Sequence, residues 1–215
     1  MSNDADFVIK DKAELKKLFE RAKGGEAEAQ YLLGMHFENA EFDEEYDEKI
    51  AAGISDQDPA HWMKKAAEQG HADAQYKLGN MYRNGYGVRQ SDETALKWYR
   101  KAAARNHGWA LWDIATVYYR NAENNRKNFF KRLFASLTGD KNVAAAIEWY
   151  EKVIADGDND DRRDNARYRL AKIYREGELV KPDREKALKY LRDIPDSSRC
   201  ARSARDMLKA MGEAK

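Results

Sequence analysis

The residues best equipped for chemistry are few and scattered. The 215-residue chain holds four histidines, His36, His61, His71 and His107, and one cysteine, Cys200. Catalysis needs a nucleophile or base held beside its partners, or a metal with its ligands. No H-E-x-x-H, paired cysteine, Walker-type loop, G-x-S-x-G or G-x-G-x-x-G occurs. His71 and His107 fall at one recurring place, at the close of a helical segment, which marks them as structural. His36 lies within a helical pattern and His61 precedes a tryptophan. Cys200, between Arg199 and Arg202, is a lone thiol and is read as inert. No enzyme activity, metal or cofactor is expected. What the chain has in quantity is aromatic and arginine side chains, the types that most often carry binding energy.

The elements that must position them repeat. Residues 27–37 contain Ala27, Ala29, Gln30, Tyr31, Leu33 and Gly34, and residues 72–82 contain Ala72, Ala74, Gln75, Tyr76, Leu78 and Gly79 in the same order. Looser copies keep Ala110, Ile114, Ala115 and Tyr118, then Ala166, Tyr168, Leu170, Ala171 and Tyr174. A second segment follows each copy: Trp62 to Ala67, Ala95 to Ala103, Ala146 to Lys152 and Ala187 to Leu191. The undisturbed unit, 72–107, is 36 residues long.

Ala74, Leu78, Gly79 and Tyr82 share one face of a 3.6-residue period, as do Ala95, Trp98, Tyr99 and Ala102. Each unit is therefore a helical hairpin. Ser55, Ser91, Asn142 and Asp183 are placed to cap the second helices, and Gly85 and Gly87 supply a turn that needs positive φ. One hairpin cannot bury its own face, so the units must stack. Trp62, Trp98 and Trp149 share a repeat position and are assigned to the core.

These motifs resemble the Sel-one-like repeat family, a subclass of tetratricopeptide-like α-solenoids. Its pattern runs A-x-A-Q-Y-x-L-G-x-x-Y, then G-x-G-V, then A-x-x-W-Y-x-K-A-A, and residues 72–107 match it nearly throughout. The resemblance implies an all-α, right-handed superhelix of about ten helices in one solenoid. Its repeats would span 27–71, 72–107, 108–157 and 164–194, between capping helices at 13–23 and 198–211. It also implies a non-enzymatic module that grips another protein or peptide in a concave groove. Bacterial members resemble the chain most; they act as adaptors, regulators, host-interaction factors and immunity proteins against toxins, and immunity is the narrowest reading. Cysteine-rich relatives linked to β-lactam binding are a remote alternative, because the paired cysteines that define them are missing here.

In the implied stacking the first helices line the groove. Positions flanking the Leu-Gly pair and those just past the recurrent tyrosine then face it. They give Tyr31, Tyr76, Trp112 and Tyr168; Met35, Glu38 and Asn39; Asn80, Arg83 and Asn84; Thr116, Tyr119 and Arg120; and Lys172, Arg175 and Glu176. The tyrosines can equally be half-buried packing residues. Trp109, Trp112 and Tyr119 depart from the pattern together and are read as a contact patch. The groove grades from acidic near Glu28 and Glu38 to basic near Arg120 and Arg175.

Two units carry insertions, which in repeat proteins map to functional loops. One holds the acidic run 41–48, read as a solvated loop. The other, 126–137, is amphipathic, with Phe129, Phe130, Leu133, Phe134 and Leu137 opposite Arg126, Lys127, Lys131 and Arg132. It can pack on its own solenoid, dock on a partner, or lie on an anionic membrane, which gives a membrane-surface adaptor as the alternative function.

Composition bounds the rest. Charged residues make up 36% and hydrophobic ones 42% of the chain, which suits an extended helical protein with much surface for its core. Lys and Arg number 39 against 38 Asp and Glu, a balance that argues against nucleic acid as the partner. One cysteine excludes an intramolecular disulfide. No secretory leader or membrane-spanning run is evident, and a cytoplasmic location is expected. Oligomeric state is left open.

Overall fold

The computed structural model describes residues 12–40, 58–127, 140–156, 159–177 and 179–213. Among them are ten helices and no strand. The fold is all-α, built from helical hairpins with a lone helix at each end. Contacts divide the chain into two compact units, residues 1–107 and 108–215.

The first unit holds α1 (Lys12–Lys23), α2 (Ala27–Ala40), α3 (Pro59–Glu68), α4 (Ala72–Asn84) and α5 (Asp92–Ala103). Each packs on the next. Leu15, Leu18 and Ala22 of α1 bury against Ala29, Leu33 and Phe37 of α2 and Trp62 of α3, with Phe19 edge-on to Trp62 at 5.8 Å. A second cluster joins Met63, Ala66 and Ala67 of α3 to Tyr31 of α2 and Ala74, Leu78 and Met81 of α4.

Small residues at the crossing points let the backbones close. A Cβ built on Gly79 would lie 2.5 Å from the ring of Tyr99, and one on Gly34 would lie 3.1 Å from Met63. The recurrent glutamine ties each first helix to the helix before it. Gln30 Nε2 donates to the Ala22 carbonyl at 2.9 Å, and Gln75 Nε2 donates to Ala67 at 3.0 Å. Both glutamines are buried, and each adds a second donor to a C-terminal carbonyl that already accepts a turn N–H, from Gly25 at 3.1 Å and from Gly70 at 3.0 Å.

The second unit holds α6 (Gly108–Lys127), α7 (Lys141–Asp156), α8 (Asp160–Glu176), α9 (Arg184–Arg192) and α10 (Ala201–Ala210), again packed in chain order. Ala171, Leu188, Leu191 and Ile194 close around Ala204, Met207 and Leu208 of the terminal helix. Helix α4 ends on Gly85 at φ 79° and α8 on Gly177 at φ 64°, left-handed positions where glycine avoids a Cβ clash. After both turns the hairpin is pinned alike: the Ser91 N–H donates to Tyr82 O at 2.8 Å and the Asp183 N–H to Tyr174 O at 3.0 Å.

Three expectations change in detail. Ser91 and Asp183 do cap α5 and α9. However, α3 is capped by Asp58, whose side chain accepts from the Ala60 N–H at 2.9 Å ahead of Pro59, and Ser55 lies outside the described residues. Helix α7 starts one residue before Asn142, so Asp140 accepts from the Asn142 N–H at 2.8 Å. Finally, of the three repeat tryptophans only Trp62 is buried. Trp98 and Trp149 are half-buried, with the ammonium groups of Lys101 and Lys152 at 4.0 and 4.2 Å over their rings. The fully buried rings belong to their neighbours Tyr99 and Tyr150.

His36 takes the repeat position filled by Met81, Val117 and Ile173, which are all core residues. Burial pushes its imidazole down to about 4 from a usual 6.5. The unfolded chain then binds a proton on this ring between these values and the folded chain does not, so stability falls as pH drops from 6.5 towards 4. Allowing for partial exposure, the loss should be about 1–2 kcal/mol. Urea unfolding at pH 7 and pH 4.5 should show that the difference between the two shrinks in His36→Met. An equal acid loss in both proteins would place the sensitivity elsewhere.

Candidate partner-binding site

In the first unit a three-residue clasp occurs twice, once in each repeat. Glu28 Oε2 lies 2.8 Å from His71 Nε2, and the His71 ring stacks on Tyr31 at 4.5 Å. Likewise Asp73 Oδ1 lies 3.2 Å from His107 Nε2, and His107 stacks on Tyr76 at 4.3 Å. His71 is more than the end of a helix. Its Nδ1 accepts the Ala74 N–H at 3.2 Å and caps α4, so its Nε2 carries the proton and donates to Glu28. The hydrogen bond from His107 holds the Asp73 carboxyl below the usual carboxylate range.

The second unit replaces the clasp. At the positions of Glu28 and Asp73 stand Trp109 and Asn165. Helix α8 begins one turn earlier in the repeat than α4 does, capped by Asn159, and that extra turn carries Arg162. Its guanidinium sits 4.1 Å over the Trp109 ring. A carboxylate–histidine pair has thus become an arginine–tryptophan stack in the same place. Two turns along, the Arg169 guanidinium lies 5.7 Å from the Tyr119 ring. Burial, followed by the charge and hydrogen bond of Glu123, pushes the Tyr119 phenol up to about 12, so it stays a neutral hydroxyl.

Between these rings Trp112 is half-buried, edge-on to the buried Tyr150 at 5.5 Å. Thr116 donates to the Trp112 carbonyl at 2.9 Å. Trp109 is 53% exposed; with Tyr86 of the α4–α5 turn, it is one of two large hydrophobic side chains so open among the described residues. A tryptophan held open beside an arginine presents a broad apolar surface.

The other expected contacts divide by burial. Tyr31 is 2% exposed, because His71 covers its ring, and it packs with Ala60 and Met63 as a core residue, not an open contact. Tyr76 is half-buried between His107 and Tyr99. Asn80 accepts the Tyr99 hydroxyl at 2.7 Å and so supports the core ring that fills the Gly79 gap. Tyr168 is half-buried against the α9–α10 cluster. Arg83 and Arg120 are partly buried, Arg175 is exposed, and Lys172 lies 3.8 Å from Glu176. Phe129, Phe130 and Phe134 lie outside the described residues. The acidic end of the expected gradient is paired off: Glu28 meets His71 and Glu38 meets Lys77 at 3.5 Å. Arg162 and Arg169 escaped the sequence reading, because neither stands at a position that faces the groove in the regular repeat.

Among the described residues no three His, Cys, Asp or Glu side chains are placed to hold a metal ion, and no helix is long and apolar enough to cross a membrane.

Two solved structures share this fold. One is c5321, a protective antigen present in uropathogenic Escherichia coli strains and displaying an SLR fold: 24% identity, TM-score 0.63, covering 96% of this chain. The chain spans only 39% of that protein's length. The other is a Sel1 repeat protein from Oxalobacter formigenes, at 25% identity and TM-score 0.56, covering 93% of this chain and 69% of that one. No curated protein matches the chain. The Sel1 repeat model matches residues 27–52, 60–71, 72–107, 134–158 and 164–192. With more than half of its residues matched, in the register of the helical hairpins described above, the chain belongs to the Sel1 repeat family, whose members are generally protein–protein interaction modules.

Proposed function

We propose that the chain is a non-enzymatic cytoplasmic binding module that takes a protein or peptide partner on the α6–α8 face of its second unit. The observation that carries this reading is Trp109, more than half exposed under Arg162. Trp, Tyr and Arg dominate binding hot spots. Trp109, Tyr119, Arg162 and Arg169 supply all three types on two adjacent helices. Neutralising a toxin is the narrowest form of this role, and rescue of growth by co-expression with the captured partner is its check.

The partner, isolated by affinity capture from the native cell, should bind Trp109→Ala with a loss of about 2 kcal/mol, near 30-fold in affinity. Melting should stay within a degree or two, since the side chain is largely in water. Tyr86→Ala, which removes the other exposed ring, should bind normally. Normal binding by Trp109→Ala would move the interface away from this face.

A further inference from the structure

We infer that Asn84–Gly85 is a self-modifying site, at which Asn84 converts to aspartate and isoaspartate at a rate set by opening of the turn between α4 and α5. The inference concerns the first unit and stands whether or not the α6–α8 face binds a partner.

The reactive pair is singular in the sequence. Asn84 is the one asparagine of the chain that precedes a glycine; each of the others precedes a residue with a side chain. Glycine matters because it has no Cβ to shield its amide nitrogen or to restrict its φ. On losing its proton, that nitrogen attacks Cγ of Asn84. The new C–N bond closes a succinimide ring, and the side-chain nitrogen leaves as ammonia. Water then opens the ring on one side or the other. Cleavage at Cγ gives aspartate, and cleavage at the main-chain carbonyl carbon gives isoaspartate, whose backbone runs through Cβ and Cγ. Water is the only co-reactant.

The structure leaves the electrophile open and holds the nucleophile back. Asn84 is exposed, is the last residue of α4, and has no hydrogen-bond partner for its side chain among the described residues. The Gly85 N–H, by contrast, donates to Met81 O at 2.8 Å in the left-handed cap at φ 79°. Ring closure needs this nitrogen to swing to the side-chain face of Asn84, which a helical ψ at Asn84 forbids. Three more hydrogen bonds keep the turn shut: Tyr86 N–H to Met81 O at 3.0 Å, Ser91 N–H to Tyr82 O at 2.8 Å, and Gln90 Nε2 to Arg83 O at 2.8 Å. Conversion therefore runs at the unfolded-chain rate multiplied by the fraction of time the turn is open.

The two products meet different fates. In α8, Glu176 stands where Asn84 stands in α4, ahead of Gly177 at φ 64°. The fold thus accepts a carboxylate at this place, and aspartate leaves the turn intact. Isoaspartate puts an extra main-chain carbon between Arg83 and Gly85, and the Gly85 N–H then loses the register of its cap.

The test ages the full chain for weeks in mildly alkaline buffer and digests it with trypsin, with an unaged sample as background. Cleavage after Arg83 and Arg89 releases the peptide Asn84–Arg89, whose asparagine, aspartate and isoaspartate forms separate by chromatography. Asn84 should be the most converted asparagine, and Asn84→Gln should leave this peptide unchanged. Conversion should be about tenfold or more slower than in the chain unfolded by guanidinium. Gln90→Ala should speed it about fivefold, the factor that one hydrogen bond is worth. Asn84→Asp should melt like the parent protein, whereas the isoaspartate fraction should melt lower. Conversion no greater than background while the unfolded chain converts would overturn the site, as would faster conversion at another asparagine. Equal rates in folded and unfolded chains, or an unchanged rate in Gln90→Ala, would overturn the gating by the turn.

Discussion

A chain carrying Gly79→Leu should melt far below the parent protein. The reason is local and steep. Even the first carbon of a side chain at this position would lie 2.5 Å from two ring atoms of Tyr99, and Tyr99 cannot retreat. It is fully buried, and its hydroxyl is tied to Asn80 at 2.7 Å. Overpacking typically costs about 1–3 kcal/mol where neighbours can adjust. Here α4 and α5 would have to part, so the cost should reach or exceed the top of that range, against a total stability of about 5–15 kcal/mol. Gly79→Ala should already lower the urea midpoint clearly. If Gly79→Leu melts like the parent protein, the close crossing of the two helices does not exist in solution.

Tyr150→Ala should be nearly as damaging, at about 3–5 kcal/mol, the usual result of emptying a large aromatic site in a core. Tyr150 is 1% exposed and is the ring on which Trp112 rests edge-on. Its hydroxyl also hydrogen-bonds with Thr116. The loss should therefore extend to the candidate face: what folded protein remains should bind the partner more weakly, because Trp112 loses its support. Tyr150→Phe keeps the ring and forfeits one hydrogen bond, and should cost about 1 kcal/mol. Denaturant melts of the three proteins decide this. A mild Tyr150→Ala phenotype would mean that the second unit has no core at this ring.

The hairpins, their register and the tight Gly79 position were legible in the sequence because each repeats, and repetition separates pattern from accident. The tryptophans show where that reading fails. Trp98 and Tyr99 are adjacent apolar residues on one helix, and periodicity could not say which ring turns inward. Lys101, one turn on, roofs Trp98 and lets it remain half in water, a use of the lysine stem that hydropathy does not register. Asp58 and Asp140 displaced the expected caps for a similar reason: every second helix starts at an aspartate or serine, and the insertions blurred which one. On the candidate face, Trp109 stood out by departing from the repeat. Arg162 did not, because it belongs to a helical turn that the regular repeat lacks.

The paired clasps of the first unit bear on how such a chain can change length. Glu28, Tyr31 and His71 lie within one repeat, and Asp73, Tyr76 and His107 lie within the next. Each repeat therefore carries its own acid, ring and histidine, and His71 in addition caps the helix that follows it. A second copy of residues 72–107 spliced in after His107 would arrive with acid, ring and histidine already matched. Gene duplication in 36-residue steps then copies a latch whole, acid, ring and histidine together, so a repeat can be added without redesigning its parts.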